Sequence, residues 1–205
     1  MKRIHLLIAI LAVALAASAC VKLGGKPVEK RYFQIAPVRT AAQAAAPKSG
    51  VLNVRRLSVS DLYNTRELVY QGPEGRIDSD FYNMFFINPA NMLTAELRRW
   101  LRESGLFPHI IEPGSMVVPG LTLEGVVNSL YGDYSGEQPQ AVVEMQFFLV
   151  DESTADNDIV FSADYSQRIP LSAHDAPALV QALTTGVEAI FTALETDLAA
   201  VPEKN

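Results

Sequence analysis

The chain has 205 residues, of which 49% are hydrophobic, and its formal net charge is −6. A domain of this size buries roughly 70% of the surface that its unfolded chain exposes, so we expect one hydrophobic core. The acidic balance argues against binding to nucleic acid or to an anionic membrane surface through net charge. The single cysteine excludes intramolecular disulfides and metal sites built from paired cysteines.

The N-terminal residues have the pattern of an export signal. Residues 1–3 are positively charged, residues 6–16 form an apolar run, and residues 17–19 are the small residues that a signal peptidase needs. The apolar run is shorter than the about 20 residues that a membrane-spanning helix requires. We therefore predict a signal peptide over residues 1–19, a tether over residues 20–29 and a single domain over residues 30–202.

Cys20 directly follows these small residues, and residues 17–20 resemble a bacterial lipobox. The resemblance implies a diacylglyceryl group on the thiol, cleavage before Cys20 and acylation of the new amino group, with palmitate as a typical chain. One acyl chain of myristoyl length binds a membrane only marginally, so stable anchoring takes a second signal. Val21 replaces the Asp that favours inner-membrane retention, which predicts the periplasmic face of the outer membrane. The alternative is a secreted protein with one free thiol.

The first third of the domain has the composition of short strands. β-branched and aromatic residues predict strands at 31–35, 51–57, 67–70 and 81–87. The Ala-, Pro- and Gly-containing residues 36–50 are typical of a flexible loop. Residues 71–75, which include two glycines and a proline, predict a turn between the third and fourth strands.

Helical periodicity replaces this pattern in two places. Asn88 and Pro89 predict the start of an amphipathic helix that Gly105 ends. A second helix of about 24 residues, which would be about 36 Å long, follows a cap at Ser172 or Asp175. Between the helices, a short strand at 107–111 and a Pro/Gly turn precede three longer strands at 119–131, 140–150 and 158–169, which predict an antiparallel meander. The predicted fold class is α/β, a mixed and largely antiparallel sheet covered by two amphipathic helices.

The sequence offers few candidates for catalysis. It lacks a Gly-rich phosphate loop, a G-x-S-x-G motif and a His pair at metal spacing. His109 lies in an apolar strand, which favours a structural role, and Asp175 beside His174 is better explained as a helix cap. Residues 151–158 superficially resemble a calcium loop but lack its central glycine and terminal glutamate, which favours a hairpin loop. We therefore predict that the protein is not an enzyme and has no cofactor or metal.

Residues 81–87 carry four aromatic side chains in seven positions. A strand with one face in water needs fewer, so two interpretations remain. The strand is buried on both faces, or it exposes an apolar patch for lipid or for a partner protein.

The order of these features resembles the ABC-type transport auxiliary lipoprotein family, which includes paraquat-inducible protein C. The resemblance depends on the lipobox, the strands at 31–35, 51–54 and 67–70, the aromatic strand, and residues 91–107, and it covers about residues 30–200. Members often carry a tryptophan just before the proline that opens the first helix, whereas Phe85, Phe86 and Ile87 stand here. The family implies a lipid-anchored, non-enzymatic subunit in an ABC system that moves lipids between membranes.

The resemblance also implies the partners, namely an MCE-domain protein and the ABC transporter subunits, and it leaves a homo-oligomer open. We predict that the partner surface includes Tyr63, Arg66, Phe85 and Phe86. Recognition residues concentrate on loops, and the loop of residues 58–66 adjoins the aromatic strand. Two other classes remain: a free-standing lipid-binding or envelope-assembly lipoprotein, and an envelope hydrolase with a cleft that contains a perturbed acid or a nucleophile.

Overall fold

The computed structural model describes residues 29–44, 47–153 and 156–202, together with His5. Cys20 and the tether up to residue 28 lie outside the described residues, as does the rest of the predicted signal peptide. The strands are β1 (Arg31–Phe33), β2 (Val51–Val54), β3 (Ser58–Val59), β4 (Glu67–Gln71), β5 (Ile77–Phe85), β6 (His109–Ile111), β7 (Leu121–Asp133), β8 (Gln140–Asp151) and β9 (Asp158–Pro170), and the helices are α1 (Pro89–Ser104) and α2 (Ala176–Ala200).

The nine strands form one curled mixed sheet around β7. β7 pairs antiparallel with β8 along its whole length, and β8 pairs antiparallel with β9, which confirms the predicted meander. The opposite edge of β7 pairs in parallel with β2, β3 and β4 in succession. β6 extends the sheet beyond β2, while β5 and then β1 extend it beyond β4. The long ladders are thus antiparallel and most of the short ones are parallel.

α1 begins and ends where the sequence predicts. The Asn88 side chain accepts a hydrogen bond from the backbone N–H of Ala90 at 2.9 Å, and Pro89 occupies the first helical turn. Gly105 ends the helix in the left-handed conformation, with φ of 65°, which a residue without a Cβ adopts at little cost. The apolar stripe of α1 lies in the core, where Leu93, Leu97 and Leu101 are fully buried.

α2 crosses the sheet and packs on β8 and β9. Asp175, one of the two predicted caps, accepts a hydrogen bond from the N–H of Ala178 at 2.9 Å. By length and composition α2 could cross a membrane, but more than half of its apolar window is buried, as expected of a core helix. Its buried side chains share one hydrophobic core with α1 and with the inner face of the sheet.

The segment between β1 and β2, predicted as a flexible loop, is held against both helices through the side chain of Arg39. The side chain of Arg39 is 4% exposed and forms an ion pair with Glu195 of α2 at 2.8 Å. Glu195 also accepts a hydrogen bond from the indole N–H of Trp100 in α1 at 2.8 Å. The guanidinium of Arg39 donates as well to the carbonyls of Ala41 and Ala42. One carboxylate therefore ties the segment to α1 and α2, a long-range contact that local composition does not reveal.

The core between β7 and β8 has no spare volume at Gly125. A Cβ built there would lie 2.7 Å from the ring of Phe147 and 2.8 Å from Leu57, both of them fully buried. We expect Gly125→Ala to lower the free energy of unfolding by about 1–3 kcal/mol, since added methyl groups in packed cores cost this much. Urea denaturation measures the change. Gly136→Ala is the matched control, since a Cβ there has no neighbour within 4 Å, and equal losses in both variants would contradict the packing argument.

Candidate functional site

The aromatic segment of β5 is largely at the surface. Phe81 is 60% exposed, Tyr82 44% and Phe86 67%, whereas Met84 and Phe85 are buried. The interpretation as a strand buried on both faces is therefore wrong for most of the segment. The alternative, an exposed apolar patch, is the arrangement that the structure has.

A wide bulge in β5 puts these rings outside. Glu67 of β4 lies opposite Met84, while the next residue, Leu68, lies opposite Asp80, so the three residues from Phe81 to Asn83 have no counterpart in β4. Extra residues of this kind bend the strand and redirect its side chains. The regular alternation that a continuous core strand needs is lost at this point.

The carboxylate of Asp80 organises the bulge. One oxygen accepts hydrogen bonds from the backbone N–H groups of Tyr82 at 2.9 Å and Asn83 at 3.0 Å. The other accepts from the side-chain amide of Asn83 at 2.7 Å and from the Tyr70 hydroxyl at 2.9 Å. Burial alone would raise the pKa of Asp80, but these four donors stabilise the charged form and hold the pKa below its ordinary value. An Asp directly before the strand predicted at 81–87, with an Asn three residues later inside it, was the sequence signal for this turn.

The exposed rings form two contacting pairs. The rings of Phe81 and Tyr82 meet edge-on with centroids 5.2 Å apart, and we call them the bulge pair. The rings of Tyr32 in β1 and Phe86 also meet edge-on, at 5.9 Å, and form the strand-end pair. Tyr32, 50% exposed, was not among the predicted site residues, because its neighbour Phe86 is 54 positions away in sequence.

Cations accompany both pairs. The Lys30 ammonium lies 3.9 Å from the centroid of the Phe81 ring, and the Arg66 guanidinium lies 5.6 Å from that of Tyr32. Both distances are within the range of a cation–π interaction. The surface is therefore aromatic and locally basic, although the whole chain is acidic.

The structure separates the four residues predicted to bind a partner. Phe86 is exposed and belongs to the strand-end pair, and Arg66 is exposed and is the cation beside that pair. Phe85 is buried, and Tyr63 is buried with its ring stacked on Tyr131 at 5.4 Å. Arg66 also binds the backbone of Phe85 in both directions, so the buried residues position the exposed ones and are not themselves accessible.

A second exposed apolar surface lies at the other end of the sheet. The loop of residues 112–120, which we call the distal loop, connects β6 to β7 and exposes Met116 by 96%, Val117 by 53% and Val118 by 84%. Its end is fixed by a hydrogen bond from the N–H of Gly120 to the carbonyl of Val51 at 3.2 Å. The bulge lies toward the C-terminal end of β7, because Tyr70 of β4 is opposite Gly132.

The candidate catalytic groups have structural contacts. Asp175 caps α2, and the exposed His174 beside it meets the ring of Tyr134 edge-on at 6.3 Å. Asp151 accepts hydrogen bonds from the backbone and hydroxyl of Ser153, as expected of a hairpin loop. Among the described residues there is no group of three His, Cys, Asp or Glu side chains that could hold a metal ion. His109 is exposed at the start of β6, opposite Val51.

A single curled mixed sheet with two helices packed against it, exposing aromatic and aliphatic patches at its surface, defines the architecture of the domain. The model of the ABC-type transport auxiliary lipoprotein component family matches residues 33–194, and the chain belongs to this family. The membership agrees with the resemblance stated from the sequence. No curated protein matches the chain at a significant level.

Solved structures share the fold. A crystal structure of a protein from Xanthomonas campestris superposes with a TM-score of 0.69 at 20% identity, over 80% of this chain and 92% of that one. A hypothetical protein from Chlamydia trachomatis superposes with a TM-score of 0.54 at 10% identity, over 75% of this chain and 99% of that one. At these identities the similarity is one of fold.

The bulge provides a test of its own. We expect Asp80→Ala to lower the free energy of unfolding by about 2 kcal/mol near neutral pH, because hydrogen bonds to a charged group contribute about 1.5–3 kcal/mol. The pKa of Asp80 is lowered in the fold, so its stabilisation is present above the unfolded-state pKa and is lost as the pH falls through the folded-state value. Urea denaturation across acid pH should therefore show the two proteins converging in stability.

Asp78→Ala is the matched control for this variant. Asp78 is exposed, and its partner Arg76, at 2.8 Å, is exposed as well, so we expect a change within about 0.5 kcal/mol. A loss at Asp78 as large as that at Asp80, or a difference that persists unchanged in acid, would contradict the assigned role of Asp80.

Proposed function

We propose that the protein is a lipid-anchored periplasmic component of an MCE-type ABC transport system that moves lipids or other hydrophobic molecules between the inner and outer membranes. It acts by binding partner proteins and does not itself catalyse a reaction. The observation that carries the proposal is the family match over residues 33–194, which follows directly on the lipobox-like leader and tether.

The anchor is Cys20, and its place is the periplasmic face of the outer membrane. A diacylglyceryl group together with an N-acyl chain supplies more than the two anchoring signals that stable attachment needs. Val21 supports the outer membrane, because the residue after the lipidated cysteine is not the Asp that favours inner-membrane retention. Ten further residues lead from Cys20 to Lys30, and at up to about 3.5 Å each they allow the domain to move no more than about 35 Å from the lipid surface.

The partner surface that we propose is the strand-end pair with Arg66. Tyr, Phe and Arg side chains are enriched in protein interfaces, and the residues that dominate binding cluster around such anchors. Phe86 and Tyr32 are at least half exposed, and the buried Phe85 fixes the chain between them and the core. An MCE-domain protein is the proposed partner at this surface.

Lipidation is the first test. Metabolic labelling with an alkyne fatty acid should label the wild-type protein and leave Cys20→Ser unlabelled. Membrane fractionation should place the labelled protein in the outer membrane. An unlabelled wild type, or equal labelling of Cys20→Ser, would contradict the anchor.

Partner recovery is the second test, performed with the lipidated full chain and the MCE-domain protein of the same bacterium. Phe86→Asp and Arg66→Glu should each weaken binding about 30-fold, because a dominant interface residue contributes about 2 kcal/mol. Quantitative co-purification at several partner concentrations measures the change.

The matched control is Met116→Asp, an equally drastic charge substitution on the exposed distal loop. We expect it to leave recovery unchanged. Loss of the partner in Met116→Asp and not in Phe86→Asp would move the partner surface to the distal loop. Labelled protein that never recovers the partner would favour a free-standing lipid-binding or envelope-assembly lipoprotein.

A further inference from the structure

We propose that the bulge pair, Phe81 and Tyr82, together with Lys30 forms a membrane-contact site. Its ligand is the headgroup region of the phospholipid bilayer that carries the anchor. This inference rests on the lipidation of Cys20 in the proposed function. It assigns to the bulge a task different from that of the strand-end pair, which faces a protein.

The exposure of the bulge pair is built into the fold. Asp80 accepts hydrogen bonds from the backbone N–H groups of Tyr82 and Asn83 at 2.9 and 3.0 Å and from the side-chain amide of Asn83 at 2.7 Å, and a fourth bond from the Tyr70 hydroxyl connects it to β4. Arg31 of β1 donates a further hydrogen bond to the side chain of Asn83 at 2.8 Å. Both rings are therefore held at the surface by a polar network that includes side chains from the two neighbouring strands, β1 and β4.

The point at which the tether joins the fold selects the ligand. Residue 31 opens β1, and the residue before it, Lys30, already contacts the Phe81 ring through its ammonium at 3.9 Å. The chain from Cys20 therefore ends on the bulge pair. Of the exposed apolar surfaces in the described residues, the bulge pair and the adjoining Tyr32 are those that lie at the junction of tether and fold.

The distal loop is far from this point. The distal loop directly precedes Leu121, the first residue of β7. At the bulge, Asp80 lies opposite Leu68 of β4. Two residues after Leu68, Tyr70 pairs with Gly132 near the other end of β7. The bulge is thus level with about residue 130 of β7, nine residues from Leu121, or about 30 Å at 3.3 Å per residue. A bilayer that contacts the bulge pair leaves the distal loop in the periplasm.

The chemistry of the surface fits a phospholipid interface. Tyr and Trp rings concentrate at headgroup level, and a Lys stem lies along apolar surface while its ammonium stays at the polar interface. Lys30 and Arg31 are exposed beside the bulge pair, where Arg31 contacts Asn83. Among the acidic neighbours, Asp80 is turned into the bulge, Asp78 is paired with Arg76, and Glu67 accepts a hydrogen bond from Thr65. The Lys30 ammonium lies on the exposed face of the Phe81 ring, beside the surface proposed to meet the lipid.

The test measures quenching of tryptophan fluorescence by brominated lipid. Single tryptophan substitutions are made in the mature lipidated protein, which is reconstituted through its own anchor into vesicles of brominated phosphatidylglycerol and phosphatidylethanolamine. Tyr82→Trp places a fluorophore in the bulge pair, and Met116→Trp places one on the distal loop. The native Trp100 is 2% exposed, so the wild-type spectrum supplies the background. We expect the lipid bromines to remove about half of the added emission in Tyr82→Trp, since interfacial side chains sit about 5–10 Å into the headgroup boundary. Met116→Trp should keep its emission.

Equal quenching at both positions, or none at Tyr82→Trp, would overturn the membrane-contact site. A second measurement guards against a perturbed bulge: Phe81→Ser combined with Lys30→Ser should increase the proteolytic access to the tether in vesicles, while the same change in detergent has no effect. Equal protease access for variant and wild type in vesicles would also overturn the proposal. Failure of the anchor is distinguishable, because an unlipidated protein does not remain with the vesicles at all.

Discussion

β7 is the constraint on which the rest of the structure depends. Its thirteen residues pair with β8 on one edge, while the other edge is divided among β2, β3 and β4. Three short strands can share one long edge only if the chain leaves the sheet between them and returns. The segments that leave it include the loop that carries Arg66 and Tyr63. Beyond β4, the sheet continues with β5 and then β1, which do not pair with β7; we call these two strands the wing.

This wing carries the exposed aromatic rings, and β1 forms its edge. β1 is an edge strand of three residues, and a short edge followed by a bulge offers little backbone for unwanted strand pairing. The same bulge costs the protein apolar burial, because it leaves Phe81 and Tyr82 in water. The four hydrogen bonds to Asp80 offset part of this cost and fix the rings in place. An apolar surface held in place by a polar network is suited to contact, because little ordering entropy remains to be lost on binding.

The parts of the fold that local chemistry decides could be predicted. Asn88, Pro89 and Gly105 bounded α1, the leucine period of residues 179–198 gave α2, and alternation gave the meander of β7, β8 and β9. β3 was missed because two residues do not make a pattern. The predictions that failed depend on long-range contacts. Arg39 forms an ion pair with Glu195, 156 positions away, and Tyr63 is buried with its ring stacked on that of Tyr131. The aromatic strand was ambiguous for the same reason, since composition cannot show where β4 interrupts the register of β5.

In the arrangement that we propose, the anchor supplies affinity for the membrane and the contact surface supplies the orientation of the domain. The domain carries an acidic excess, so an anionic bilayer repels it as a whole, and no small patch could hold it there by charge alone. In the proposed arrangement, acyl chains on Cys20 supply the attachment, and the bulge pair has only to set which side of the domain faces the lipid. A few rings and one ammonium suffice for that, because a tethered contact forms at the high effective concentration set by a short linker. That orientation leaves Tyr32, Phe86 and Arg66 along the flank of the domain, accessible to the proposed MCE-domain partner, and the distal loop on the side away from the bilayer.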